Sequence, residues 1–274
     1  MAQANGVPAG VDTTTASPAR MYNYMLGGQH NFPVDRQITE RLRAEMPDLA
    51  DAAWANRGFH GRAASWMAKR GIRQFLDIGC GLPTQNNTHQ TVHKIAHAAR
   101  VAYVDIDPMI GLLAGELSAG NGTTEVIQAD LCEPDRVLDN PHVRTLIDFT
   151  EPAGLLMTAV MQFVADERDP WALVARYAGA VAPGSYLALS HSTADRLPPR
   201  VVRAWAEAYE RATQRAHARS QAEVARFFEG LNLVPPWPGA QPALTYPGLW
   251  GAEDPVAADS DGPRAFYCAV ARRP

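Results

Sequence analysis

FLDIGCGLPT, residues 75 to 84, sets an acid and two glycines where an apolar strand turns sharply into a helix. Gly79 and Gly81 permit torsions that a Cβ would forbid and let a ligand approach the main chain. Asp77 adds a fixed carboxylate at the strand's end, so the turn reads as a cradle for a nucleoside cofactor. A GxG alone carries little weight. Downstream, VAYVDIDP at 101 to 108 ends a second apolar strand in Asp105, 24 residues past Gly81. That is close to the ~20-residue separation at which an acid meets a cofactor ribose. Leu82, Pro83 and Thr84 stand where a third glycine would let helix and strand pack around a pyrophosphate, which argues against a nicotinamide dinucleotide.

A cofactor with a ribose but no phosphate needs the glycine approach and the ribose acid without an anion-binding helix start. S-adenosyl-L-methionine fits. VIQADLCEP at 126 to 134 supplies a third strand, delivering Asp130 to accept from an adenine amino group with Leu131 against the ring. Three strand ends in this order resemble the class I methyltransferase pattern. The candidate cofactor residues are Asp77, Gly79, Cys80, Gly81, Thr84, Asp105, Ile106, Asp130 and Leu131.

The resemblance narrows with SPARMYNYMLGGQHNFPVDR at 17 to 36, NRGFHGRA at 56 to 63, GIRQFLDIGCGLPT at 71 to 84, YVDIDP, and PGSYLALSH at 183 to 191. Together these resemble the S-adenosyl methyltransferase family once filed as a domain of unknown function, over about residues 17 to 272. The resemblance implies the cofactor and its product S-adenosyl-L-homocysteine, a Rossmann-like fold, and no particular acceptor. It also implies that His89 lies near the methionine end of the cofactor. Two places depart from the family pattern: Met161-Gln162-Phe163-Val164 replaces a usual Leu-His-Phe, and WGAEDP around Trp250 replaces a late Trp-Arg-Pro. Both concern the acceptor side.

The chain has 274 residues and 46% hydrophobic content, enough for one α/β domain. A net charge of −4 gives no field to draw in phosphate backbones, so no nucleic-acid partner is expected. Arg196, Arg200, Arg203, Arg211, Arg215 and Arg219 are interleaved with Glu207 and Glu210 and read as a solvated helix face. Cys80, Cys132 and Cys268 show no CxxC spacing, which suits a reducing compartment, and Cys80 reads as a small residue between glycines rather than a nucleophile. No apolar run approaches the ~20 residues of a membrane span. A soluble, cytoplasmic protein is expected.

Residues 1 to 16 lack apolar periodicity and read as a disordered leader, and 17 to 274 as a single domain. Helical patterns at about 18 to 26, 34 to 46 and 49 to 70 predict a cap or lid over 17 to 70. Strands near 72 to 78, 101 to 105, 123 to 128, 153 to 159 and 185 to 190 then alternate with helices near 86 to 98, 108 to 119, 134 to 140 and 169 to 181. A helix over 198 to 216, another from Ser220 to Gly230, and closing strands at 231 to 235 and 265 to 271 complete a doubly wound, mostly parallel seven-stranded sheet. The Pro- and Gly-rich stretch 236 to 264 reads as a loop over the acceptor side or as a floppy insertion.

Methyl transfer from a sulfonium is an in-line displacement that rests largely on alignment, so no nucleophilic side chain is obligatory. Candidates for a base are His191, His30 and Asp35, with Gln162 and Tyr24 as positioning groups. Tyr22, Tyr24, Gly27, Gly28, His30 and Asn31 form a polar, aromatic run around a glycine pair. It reads as a hinged lid closing on the cofactor, with Tyr22 and Asn31 touching it. His89, His93 and His97 share a helical stripe, but no glutamate or thiolate completes a zinc set, and no metal is expected. The main reading is a methyltransferase acting on a small molecule. The rival is a noncatalytic binder or sensor of S-adenosylmethionine, suggested by Gln162.

Overall fold

The computed structural model describes residues 10–118, 120, 122–254 and 264–274. Three helices open the chain: α1 (Pro18–Met25), α2 (Pro33–Glu45) and α3 (Leu49–Lys69). The alternating part runs β1 (Gln74–Ile78), α4 (Thr88–Val92), β2 (Arg100–Asp105), α5 (Met109–Leu112), α6 (Ala114–Leu117) and β3 (Thr124–Gln128). It continues with α7 (Pro134–Leu138), α8 (Pro141–Leu146), β4 (Gly154–Thr158), α9 (Pro170–Ala180) and β5 (Tyr186–Ser192). Then come α10 (Pro199–Glu210), α11 (Gln221–Arg226), β6 (Asn232–Leu233) and β7 (Phe266–Arg272). Two single 3-10 turns, Met161–Phe163 and Asp166–Arg168, follow β4.

The seven strands lie in the order β3-β2-β1-β4-β5-β7-β6, parallel except for β7, which runs antiparallel to both neighbours. The expected doubly wound sheet is therefore present. Chain order reverses between β1 and β4, and such a switch point opens a crevice at the carboxyl ends of the strands. Alternation along each strand sorts the core into two faces. Leu76, Ile78, Leu155, Met157 and Leu187 pack toward α7, α8 and α9, while Phe75, Leu156 and Ala188 pack toward α3.

α3 does more than cap the domain. Its Phe59, Ala63 and Met67 are fully buried against the sheet, and each large apolar side chain removed from water there is worth roughly 1.5–3 kcal/mol. The 17 to 70 region thus contributes a layer of the core as well as a cap, and α1 and α2 pack instead with Val201, Ala208 and Tyr209 of α10. Of the expected leader, residues 1–9 lie outside the described residues. Residues 12–16 are tied down: Ala16 is fully buried and bridges Ala212, and the carbonyl of Asp12 accepts from Arg20.

Several expected helices are shorter. The stretch 86 to 98 keeps only α4, with Asn87 in a capping box, and continues as turns. The stretch 108 to 119 breaks at Leu113 into α5 and α6, each containing a glycine that weakens a helix by ~1 kcal/mol. α10 ends at Glu210 because the chain turns back to carry Ala212 to Ala16 and Arg219 to β5. α8 was not anticipated, although Asn140 followed by Pro141 is an N-cap signal and the Asn140 side chain accepts from the amide of His142. Among the described residues, no helix is long and apolar enough to cross a membrane.

Candidate cofactor and acceptor site

One cavity opens at the switch point and has two ends. Its polar end is lined by Gly79, Cys80, Gly81, Asp105, Asp130 and Leu131. Gly81 adopts φ +68°, and its amide donates to Oδ2 of Asp105 at 2.8 Å. The other oxygen of Asp105 accepts from the amide of Asp107 at 2.9 Å. Burial raises the pKa of Asp105, opposed by these two amides. A carboxylate offers about four lone-pair sites, so acceptor capacity remains for ribose hydroxyls. Oδ1 of Asp130 accepts from the amide of Cys132, which fixes that carboxylate beside Leu131.

The two cradle glycines play different parts. A Cβ on Gly81 would meet nothing, so the space over its backbone is open to a ligand. A Cβ on Gly79 would overlap the side chain of Val160, so that glycine serves packing between β1 and the β4 loop. One further observation suits a nucleoside: Ile106 stands 45% exposed on the cavity wall. Thr84 does not line the cavity, and its buried Oγ1 has no partner.

Asp77 lies buried behind the cradle and does not line the cavity. Thr88 donates to its Oδ2 at 2.5 Å, and burial pushes its pKa up to about 6. The single proton of Thr88 is thereby used, so His60 Nε2 must be the donor in its 2.7 Å contact with Thr88 Oγ1. Nδ1 of His60 then accepts from Thr158 Oγ1 at 2.9 Å. Burial holds the His60 imidazole at about 3, so its 3.7 Å approach to Asp77 is no ion pair at neutral pH. Asp77, Thr88, His60 and Thr158 form one chain from behind the cradle to the cavity wall. Arg57 donates to the carbonyls of Gln85 and Asn86 and to Asn87, bringing a cation to the same turn.

The second end is a chamber under the helical cap, walled by Met25, Leu49, Phe163, Trp205, Tyr209 and Phe266. Its polar groups mostly satisfy one another. Tyr22 donates to the carbonyl of Ala53 and accepts from Asn56, which accepts in turn from Ser190 at 2.5 Å. Asn56 and His60 belong to the NRGFHGRA run and were missed as site residues. Their spacing of four on a helix could have marked them as one inward stripe.

Other sequence candidates lie elsewhere. His191 is fully buried on the opposite face of β5, stacked on Phe227. An arginine only donates, so Nε2 of His191 accepts from Arg219 at 2.7 Å, leaving Nδ1–H to donate to the carbonyl of Ser192. It cannot meet an acceptor molecule. Arg219 belongs to no solvated face: it is 3% exposed and also donates to the carbonyls of Met161 and Val164 and to Asp166. Asp35 is a buried structural acceptor for the amides of Ser17 and Phe32 and for Arg20. Tyr24 and His30 reach outward to Glu40 and Glu116.

Neither His89 nor Asn31 lines the cavity. The amide and Nδ1 of His89 meet the hydroxyl of Tyr103, and Asn31 binds Asn23 and the carbonyl of Gly28. The glycine pair ends α1: Gly27 takes φ +76°, and Gly28 donates to the carbonyl of Asn23. Residues 236–254 contribute nothing to the cavity wall. Trp250 instead packs edge-on against Phe59 at 5.5 Å on the α3 face, its carbonyl held by Arg62.

Comparison with known proteins agrees with this architecture. A model of the S-adenosyl methyltransferase family matches residues 4–274. A DUF574 family protein from Streptomyces avermitilis MA-4680 is 38% identical, with TM-score 0.88, over 96% of this chain and 99% of its own. A candidate methyltransferase from Thermobifida fusca YX is 32% identical, with TM-score 0.88, over 98% and 99% respectively. An O-methyltransferase family protein from Burkholderia thailandensis shares the fold at TM-score 0.54 and 13% identity, over 82% of this chain and 58% of its own. No curated protein matches the chain. The cradle, the switch-point cavity and these matches together identify the chain as a member of the S-adenosyl methyltransferase family, an S-adenosylmethionine-dependent methyltransferase.

Proposed function

We propose that the enzyme methylates a small molecule seated in the apolar chamber, chiefly by aligning it and excluding water. The observation that carries this is the continuity of one cavity from Gly81 and Asp105 to Trp205 and Tyr209. Asp105 would hold the ribose hydroxyls, and Asp130, Leu131 and Ile106 would hold the adenine. Arg57, which lines the cavity, would offer a positive charge to the methionine carboxylate. When bound, the cofactor supplies an electrophilic methyl group on a sulfonium.

Among the described residues, the chamber has no ready general base. Both nitrogens of His60 are engaged and burial keeps it neutral. Burial also pushes the Tyr22 and Tyr209 phenols above their ordinary range. Alignment alone supplies up to ~7–11 kcal/mol, and a base is worth ~10²–10⁴-fold only where a proton must leave in the transition state. The acidic net charge and apolar wall favour a small molecule over nucleic acid. The three free cysteines suit a reducing compartment.

The continuation of the cavity past the cradle into an apolar chamber favours catalysis over a noncatalytic binder. Labelled-methyl turnover against a broad small-molecule panel tests this. Transfer to at least one compound is expected. Tight binding of S-adenosylhomocysteine with transfer to none would favour the sensor.

A further inference from the structure

Two buried polar atoms on the cavity wall have no partner. Oε1 of Gln162 and Oγ of Ser192 are each orphaned, on residues 5% exposed. Gln162 sits in the turn after β4, and Ser192 ends β5 on the same face as Ser190. Neighbouring wall groups are spoken for: Tyr22, Asn56 and Thr158 bond within the protein. A buried unpartnered oxygen is costly, so a ligand that satisfies it gains affinity. The surrounding surface is aromatic and aliphatic, from Phe163, Trp205, Tyr209 and Phe266. Among the chamber-wall residues just named there is no carboxylate or cation to neutralise a charged guest.

The position of Gln162 is fixed from outside the cavity. Its carbonyl accepts from the amide of His217 at 2.7 Å, and Arg219 grips the flanking carbonyls of Met161 and Val164. A side-chain amide on a backbone held in this way, with its oxygen unpartnered, is suited to orienting one donor group on a guest. We infer that the chamber takes a neutral, mainly apolar, ring-containing small molecule whose O–H or N–H donates to Gln162, with Ser192 as the second polar contact. This rests on the methyltransferase reading above and specifies its acceptor class.

The test uses matched probes on full-length protein saturated with S-adenosylhomocysteine, so that the cradle is filled: naphthalene, 2-naphthol, 2-naphthoate and 2-naphthylmethylammonium, with affinity read by saturation-transfer NMR titration. 2-Naphthol should bind about 3- to 10-fold tighter than naphthalene, the gain of one net hydrogen bond, and both should exceed the two ions. Gln162→Leu should abolish the naphthol advantage while naphthalene affinity stays. Ser192→Ala gives an independent, smaller loss should the Gln162 variant fold poorly. Tighter binding of either ion, no saturable binding of the neutral pair, or an undiminished naphthol advantage in both variants would overturn the inference. Calorimetry of S-adenosylhomocysteine on the same samples separates the two levels, since its failure in wild type sinks the methyltransferase site itself.

Discussion

The backbone amide of Gly81 donates to Asp105 Oδ2 across 2.8 Å, joining the glycine turn of one strand to the acid that ends the next. The cradle is thus braced before any ligand arrives. Asp105→Ala removes both the brace and the proposed ribose contacts, and charge-assisted hydrogen bonds are worth ~1.5–3 kcal/mol each. Calorimetry should show S-adenosylhomocysteine binding weakened at least ~10-fold in a folded variant. Unaltered affinity would remove Asp105 from the site.

The two glycines should separate stability from binding. Gly79→Ala drives a methyl into Val160 at a positive φ and should lower Tm sharply, with partial recovery in the Gly79→Ala, Val160→Ala double variant. Gly81→Ala should cost only the ~1–2 kcal/mol of left-handed strain yet cut cofactor affinity, because its methyl enters the open space over the turn. Equal losses of both properties in both variants would contradict this division.

Arg219→Met should destabilise by roughly 2–5 kcal/mol, since it strands His191 and two buried carbonyls. Arg203→Met, on exposed α10 surface, should stay within ~0.5 kcal/mol. Chemical denaturation distinguishes them. Similar small effects would mean that Arg219 is solvated after all.

Stability should fall in acid. His60 and His191 are pushed by burial from 6.5 to about 3, so the unfolded chain gains their protons first as pH drops. Their contribution is complete above 6.5 and lost toward pH 3. Asp77, raised from 3.8 to about 6, acts in the opposite sense between those values. Two imidazoles outweigh one carboxylate, and Tm should drop by about 5–10 °C between pH 7 and 4. A flat or rising Tm would show that the histidines take up protons within the fold.

The N-terminal segment offers a last test. Buried Ser17 bonds Asp107, buried Asn23 donates to the carbonyl of Pro83 at 3.2 Å, and Arg20 pairs with Asp35 at 3.1 Å. These anchors favour a fixed cap over a closing lid. Amide exchange from Arg20 to Gly28 should be slow with or without S-adenosylhomocysteine. Strong slowing on addition would restore the lid.

Much of the fold was legible because strands such as Leu155–Met157 and Leu187–Leu189 are continuous apolar runs, and because Asp77, Asp105 and Asp130 each follow one. The strand-end residues Gly79, Gly81, Asp105 and Asp130 that line the polar end of the cavity were legible for the same reason, while Asp77, Thr84, His89 and Asn31 lie off its wall. The apolar chamber was less so: Gln162 was marked in the sequence, but its meeting with Ser192 and Tyr209, which come from separate elements, arises only through tertiary packing. Arg219 looked like its neighbours because charge spacing says nothing about where a chain reverses. His191 was misplaced because residues at a strand end alternate faces, and sequence leaves the face undecided.

The packing of α2 on α10 has a bearing on how the protein is made. Ile38 and Leu42 of α2 are buried in the cluster that Val201 and Ala208 of α10 complete, yet the two helices lie about 150 residues apart. At ~5–20 residues per second, α2 leaves the ribosome roughly 8–30 s before its partner exists. During that interval its apolar stripe is covered only in part, by α1 and α3, and the roof of the chamber is finished only after most of the sheet has been translated. A nascent chain stalled before Pro199 would hold the glycine cradle but lack a wall of the apolar chamber, while presenting a partly covered helix to chaperones.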